Sequence, residues 1–284
     1  MKIGGLIRQK MNLQHLATIA IEAARSAGKI IQKHLNDDIV VEQKDGGNTY
    51  ASQVVTKVDR ECETIILSHL KPTCKTFDIG LLSEETEDNK SRFKKDFFWC
   101  IDPMDGTLAF INKQPGFSVS IALIAKNGTP VIGVVFDPST KTLYHAIKGQ
   151  GAYKDGNPWS IKNTNNYLTY VSDKKSSDTH KFAEIQDILN KHKANLGLKD
   201  TKEISGAGAV LSAILVLENG PACFLKLPKK ELGGGSIWDY AATACIYQEL
   251  GLPATDFNGK ILNLNKKDGT FMNRKGVYYS NLII

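Results

Sequence analysis

From Asn12 to Leu35 apolar residues recur at intervals of three and four: Leu13, Leu16, Ala17, Ala20, Ala23, Ala24, Ala27, Ile30 and Ile31. That spacing puts them on one face and predicts a single long amphipathic helix. Ile39–Val41 reads as a short strand and Asp45-Gly46-Gly47-Asn48 as a turn. A second helix is predicted over Val58–Leu70, stopping before Pro72, whose ring disfavours helical geometry in the residue ahead of it. From Phe97 to Tyr153 the period changes. Phe97–Ile101, Phe117–Ala125, Val131–Phe136, Leu143–Ile147 and Ala152–Tyr153 are alternating or unbroken apolar runs. Asn127-Gly128, Asp137-Pro138 and Gly149-Gln150-Gly151 separate the last four, which predicts an antiparallel meander.

Further along, strand-like and helix-like stretches take turns. Leu168–Val171 precedes a helical pattern over Asp178–His192, and Lys202–Ile204 precedes another over Ala207–Leu217. Ala222–Leu227 then reads as a strand and Ile237–Leu250 as a helix. Such alternation predicts strands layered with helices. The expected fold class is α+β, with an antiparallel sheet in an N-terminal half (1–160) and a mixed sheet in a C-terminal α/β half (161–284). The boundary falls near 155–165.

Composition adds limits. A chain of 284 residues, 42% hydrophobic and 23% charged, can bury a sizeable core, and no repeat or low-complexity tract divides it. Its five cysteines (Cys62, Cys74, Cys100, Cys223, Cys245) are scattered and never spaced as CxxC, so reduced thiols are expected rather than a disulfide framework or a zinc site. The opening MKIGGLIRQK lacks the apolar run of a signal peptide, and no stretch reaches the roughly 18 apolar residues of a membrane span. A soluble cytoplasmic protein is expected. The formal charge is +6, with lysines grouped at Lys94–Lys95, Lys174–Lys175, Lys229–Lys230 and Lys266–Lys267. These suit a solvated basic surface or the attraction of an anionic substrate. A nucleic-acid binder needs a dense basic stripe with interleaved aromatics, which is missing.

The most informative segment is Trp99-Cys100-Ile101-Asp102-Pro103-Met104-Asp105-Gly106-Thr107, an apolar strand ending in two acids. Acids at such a place are costly to desolvate without a partner. Two carboxylates and the carbonyl of a residue between them make an oxygen donor set of the kind Mg²⁺ takes. Pro103 stiffens the bridge, Gly106 lets backbone N–H groups face an anion, and Thr107 brings a hydroxyl where a helix could begin. The same acids also suit plain turn caps, since Asp-Pro and Asp-Gly are common turn dipeptides. Spacing alone leaves both open. Three further acidic places have bland counterparts too. Glu84 and Glu85, followed by Glu87 and Asp88, fit a solvated loop. Asp239, after Gly233–Gly235, fits the dipole of a helix start. Asp59, in Val54–Asp59, fits an exposed helical acid.

Taken in order, Thr56-x-x-Asp59, Ser83-Glu84-Glu85, Asp102-Pro103-Met104-Asp105-Gly106-Thr107 and Trp238-Asp239-x-Ala241-Ala242 resemble the inositol monophosphatase superfamily, from about residue 12 to the C-terminus. Leu82–Glu85 and Gly116–Ile124 are most similar to the 3'(2'),5'-bisphosphate nucleotidases, which remove the 3'-phosphate of adenosine 3',5'-bisphosphate. The resemblance implies a layered αβαβα sandwich and a Mg²⁺-dependent phosphatase holding two or three ions. It implies metal ligation by Glu84, Asp102, the Met104 carbonyl, Asp105 and Asp239, with most ligands in the first half and Asp239 in the second. It gives Asp59, Glu84 and Thr107 catalytic roles, Asp59 and Thr107 orienting or deprotonating the attacking water. Substrate contacts are implied for Glu84, Met104, Asp105, Gly106, Thr107, Asp239 and the Gly206-Ala207-Gly208 turn. Lithium inhibition and homodimerisation are implied as well.

Two positions depart from the subfamily patterns. Leu108-Ala109 stands where nucleotidases often carry a charged pair, and Ser83-Glu84-Glu85 where inositol phosphatases more often read Gly-Glu-Glu. Inositol monophosphatase is therefore the rival activity. A non-catalytic ligand-binding protein of the same fold predicts a damaged metal set, whereas every expected carboxylate is present.

Overall fold

A computed structural model describes residues 11–37, 41–43, 54–179 and 181–282. The expected turn at Asp45–Asn48 and the first two residues of the strand expected at Ile39–Val41 lie outside these. Helix α1 (Leu13–His34) matches its apolar pattern, and Asn12 caps it by accepting a hydrogen bond from the His15 amide. Strands β1 (Val41–Gln43) and β2 (Val54–Thr56) form a small antiparallel pair ahead of α2 (Lys57–Phe77). Helix α2 runs through Pro72, beyond its expected end. Packing outweighs the local penalty there: Leu70 and Thr73 are buried, and the Thr73 hydroxyl accepts from Trp99 Nε1 at 2.9 Å.

The next seven strands build one sheet in sequence order: β3 (Gly80–Ser83), β4 (Phe97–Asp105), β5 (Ser118–Ala125), β6 (Pro130–Asp137), β7 (Thr142–Ile147), β8 (Gly151–Lys154) and β9 (Asn157–Pro158), with the short helix α3 (Thr107–Ile111) after β4. From β4 onward every pairing is antiparallel, as the turn residues predict. One correction is needed: β3 lies parallel to β4, with Ser83 beside Ile101. The connection from residue 84 to 96, containing one 3-10 turn, is long enough for the crossover a parallel pair requires.

A second sheet follows. Strand β10 (Leu168–Ser172) leads to α4 (Phe182–Leu196), β11 (Thr201–Ser205) to α5 (Ala209–Glu218), and β12 (Ala222–Lys226) to α6 (Ile237–Glu249), before β13 (Ala254–Thr255) and β14 (Val277–Asn281). Its order is β11-β10-β12-β14-β13, with β11, β10 and β12 mutually parallel and β14 and β13 antiparallel. Helix α4 starts later than its pattern suggests, because the Ser176 amide and hydroxyl bond Glu203 and hold 176–178 in a separate turn.

Alternation along the strands explains the layering. Trp99 and Ile101 of β4 pack with Leu16, Ile31 and Ile66 of α1 and α2, whereas Phe98 and Cys100 face Ile237, Tyr240 and Ala241 of α6. In β12, Ala222 and Phe224 join that central cluster, and Cys223 and Leu225 meet Ile185 and Leu189 of α4. The order is helices, sheet, helices, sheet, helix: an αβαβα sandwich. The chain changes sheet between Pro158 and Leu168, yet side chains from both sheets share the central core.

Candidate active site

The two acids of the Asp102–Asp105 segment stand three residues apart, so a regular strand would send them to opposite faces. Strand β4 is not regular there. Asp102 pairs with Ser120 and Asp105 with Ser118, so β4 spends one residue more than β5 over this stretch. This bulge, at Pro103 and Met104, turns both carboxylates to one side. Proline lacks the N–H that a ladder needs, which makes a bulge its natural place. Asp102 Oδ1 accepts from the Met104 amide at 3.1 Å. Gly106, at φ 85°, then starts α3, and a side chain on it would strike the Gly116 carbonyl.

Other elements aim at the same point. The parallel register of β3 and β4 places Glu84 beside Asp102, with the Glu84 amide donating to the Ile101 carbonyl. Asp239 sits in the first turn of α6, where Oδ2 accepts from the Ser236 amide at 2.6 Å in a capping box. Asp105 reaches into the second half of the chain: Oδ1 and Oδ2 accept from the Ala209 and Val210 amides at 3.2 and 2.8 Å. It thereby caps α5 from outside, which is why that helix begins at Ala209 rather than Ala207. Gly208 allows the approach, since a Cβ there would lie 2.3 Å from Asp105 Oδ2.

The result is a group of three carboxylates, Asp102, Asp105 and Asp239, whose oxygens lie within 4.8 Å of one another. Glu84, Met104, Gly106, Thr107 and the Gly206–Gly208 turn line the same cavity of about 570 Å³. Burial, then the charges of Glu84, Asp105 and Asp239, holds the Asp102 carboxyl well above the usual range. Burial and the charge of Asp239 push Asp105 up to about 8. Burial and Glu84 push Asp239 up to about 6. Such crowding of acids calls for a compensating cation. An all-oxygen, anionic, buried donor set fits a hard divalent ion such as Mg²⁺.

Asp59 is buried, not the exposed helical acid considered above. Its Oδ2 accepts from the Thr56 amide and hydroxyl at 2.8 and 2.6 Å, capping α2, while Oδ1 accepts from the Thr107 hydroxyl at 3.1 Å. That hydroxyl also lies 3.2 Å from the Met104 carbonyl. Each residue given a metal, catalytic or substrate role above lines the cavity, apart from Asp59, which bonds directly to Thr107 there.

Sequence reasoning missed Glu63. One turn after Asp59 on α2, it accepts from the Ser83 hydroxyl at 2.5 Å and the Thr86 hydroxyl at 3.0 Å, clamping both sides of Glu84-Glu85. Its spacing of four from Asp59 was the available signal. Asp173 and Lys226 were missed as well; they line the same cavity with Lys174 and Lys229, which the sequence offered only as grouped charge.

A sequence model of the inositol monophosphatase family matches residues 12–282. The chain belongs to that family. Over 141 residues it is 37% identical to the Nus factor SuhB of Salmonella typhimurium, a match covering 50% of each chain, so it spans about half the length of that relative. It is 26% identical over 262 residues to inositol monophosphatase 1 of Solanum lycopersicum, covering 90% of this chain and 89% of the relative. Among solved structures, the Thermotoga maritima IMPase superposes with a TM-score of 0.71 at 24% identity, covering 94% of this chain and 92% of that one. At that identity the superposition speaks for the family's fold. No helix among the described residues is long and apolar enough to cross a membrane.

Proposed function

We propose that this protein is a Mg²⁺-dependent phosphatase acting on a small phosphomonoester. The observation that carries this is the convergence of Asp102, Asp105 and Asp239 from two halves of the chain. In this reading Glu84, Asp102, the Met104 carbonyl, Asp105 and Asp239 hold two or three Mg²⁺ ions. Bound Mg²⁺ supplies Lewis acidity and charge neutralisation for phosphoryl transfer. The protein's own groups position water. The Thr107 hydroxyl donates to Asp59 Oδ1, which leaves its lone pairs free to accept from a water in line with the phosphorus. As the water oxygen bonds phosphorus, its proton passes to Thr107 Oγ1 while the Thr107 proton moves to Asp59. The ester P–O bond breaks, the departing oxygen takes a proton from solvent, inorganic phosphate remains, and Asp59 returns the proton it received to solvent, resetting the site. No covalent phosphoenzyme is needed. Gly106 and Thr107 line the cavity, and in this reading their amides hold the phosphate.

Within this class, the Leu82–Glu85 and Gly116–Ile124 motifs favour a 3'(2'),5'-bisphosphate nucleotidase, converting adenosine 3',5'-bisphosphate to AMP and phosphate. The end-to-end match to a tomato inositol monophosphatase favours the second reading, inositol 1-phosphate hydrolysis. Phosphate release from both compounds and from fructose 1,6-bisphosphate, with Mg²⁺ and then with chelator, tests the proposal. Turnover that chelator abolishes and Mg²⁺ restores is expected. Turnover indifferent to chelator, or no turnover of any phosphomonoester, contradicts it.

A further inference from the structure

Arg92 is a cation with no exposed surface, set in the connection that runs from Glu84 to β4. Its Nε donates to Asp88 Oδ2 at 2.8 Å, and its Nη1 donates to Asn265 Oδ1 and the Lys266 carbonyl at 2.9 and 2.8 Å. Asn265 returns the contact, its Nδ2 donating to the Arg92 and Lys126 carbonyls at 3.1 and 2.8 Å. Burial pushes the Asp88 carboxyl up, but hydrogen bonds from Arg92 and Lys90 outweigh it and hold it below the usual carboxylate range. Two stretches 173 positions apart are thus clamped together around a buried ion pair. Stability alone does not call for this, since apolar side chains of similar volume often serve as well in such a place. What a guanidinium adds is direction, because its planar fork fixes several acceptors at once.

Both clamped stretches lead to the acid cluster. On one side, Asp88 and Arg92 share their connection with Glu84, and the Ser91 hydroxyl ties it to β3 by accepting from the Leu81 amide at 3.0 Å. On the other, residues 265–272 form a strap whose Thr270 and Phe271 line the cavity. Lys266 Nζ donates to the Phe271 carbonyl at 2.7 Å, Phe271 bridges to Ser236, and the Met272 amide donates to the Gly235 carbonyl at 2.9 Å. The Ser236 amide in turn donates to Asp239 Oδ2. Continuous contacts therefore run from the Glu84 connection, through Arg92 and the strap, to Asp239. These are the two carboxylates of the cluster that do not belong to β4, so nothing in the bulge of that strand sets their separation.

We propose that Arg92 and Asn265 are positioning residues for the metal centre: their clamp keeps the strap and the Glu84 connection in register, and so sets the spacing between Glu84 and Asp239 on which a divalent ion depends. Neither residue touches ion or substrate. This inference rests on the reading of those carboxylates as metal ligands.

Arg92→Ala removes the partner of Asp88 and tests folding rather than positioning. Asn265→Ala, at a half-buried loop position, cuts the clamp while Arg92 keeps Asp88. Arg92→Lys keeps the charge and loses the fork. Calorimetric titration of the metal-free protein with Mn²⁺ reads the centre without substrate or turnover, and melting curves verify the fold. Both variants should bind Mn²⁺ about fivefold more weakly than the wild type, somewhat less than the loss of a direct outer partner of a metal ligand. Glu249→Ala is the control. It frees a different loop, at the far end of α6, by removing bonds from the Gly149 and Gly151 amides, and should lower the melting temperature with Mn²⁺ affinity unchanged. Wild-type affinity in Asn265→Ala, or an equal loss in Glu249→Ala, makes the clamp purely structural and overturns the proposal while the metal centre stands. If the wild type binds no Mn²⁺, the metal centre itself falls and the positioning role falls with it.

Discussion

The two ends of the cavity are built by the same device and finished differently. Parallel β3 and β4 deliver Glu84 and Asp102 side by side, and parallel β10 and β12 deliver Asp173–Lys175 and Lys226–Lys230. At the acid end the groups are buried and held. Asp105 accepts two helix amides, Asp239 closes a capping box, and Asp59 caps α2 while accepting from Thr107. At the lysine end most side chains are exposed or half-buried on long flexible stems. Chemistry needs groups fixed to within fractions of an ångström, whereas attraction of an anionic substrate tolerates mobile partners. The acid end should therefore govern kcat and the lysine end KM.

The largest effect expected is from Asp102→Asn, which should lower kcat at least about a thousandfold, the scale on which loss of a preorganised electrostatic group is felt. Phosphate release, with circular dichroism to verify the fold, measures this. Near-normal turnover would remove Asp102 from the centre of the site. Thr107→Val should cost about a hundredfold in kcat, the lower range for general acid–base assistance, with Thr107→Ser recovering most of it. Should serine fail to rescue, the hydroxyl is not what matters. Glu63→Gln touches no substrate, and by loosening Ser83 and Thr86 around Glu84 it should lower apparent Mg²⁺ affinity about tenfold, as loss of an outer partner of a metal ligand does. A Mg²⁺ titration of the rate reads that directly; an unshifted curve would make Glu63 a purely structural residue.

The smallest effect concerns pH. Folding raises the Asp105 carboxyl from 3.8 to about 8, so the folded chain binds protons more tightly than the unfolded one between those values. Without metal, stability must then fall as pH rises through that window, by a few degrees in melting temperature. Mg²⁺ competes with those protons, so its stabilisation should grow with pH. Thermal melts with and without Mg²⁺ check both trends, and Asp105→Asn should flatten the metal-free slope. A metal-free protein that gained stability through this range would show that the acids are not mutually uncompensated.

Much of this was legible in the chain. The α1 stripe and the strands from Phe97 to Tyr153 follow periodicity, since each element buries one face or both. The acids were legible because motif order ties Asp59, Glu84, Asp102, Asp105 and Asp239 together. What escaped depends on geometry between elements. The bulge that turns Asp102 and Asp105 to one side exists only in the register of β4 with β5. Helix α2 continues through Pro72 because Thr73 and Leu70 find partners in the sheet. Asp105 capping α5 joins residues over a hundred positions apart, and only Gly208 marks the contact locally. The lysines escaped for a similar reason: pairs in sequence become a cluster only when β10 and β12 lie in parallel.

The central claim is that carboxylates from both halves of the chain enclose divalent cations. Anomalous diffraction from crystals grown with Mn²⁺ addresses it most directly. The account predicts at least one strong peak within bonding distance of Asp102, Asp105 and Asp239 together, absent in Asp102→Asn. A wild-type map with these three carboxylates unligated at saturating Mn²⁺ would contradict it.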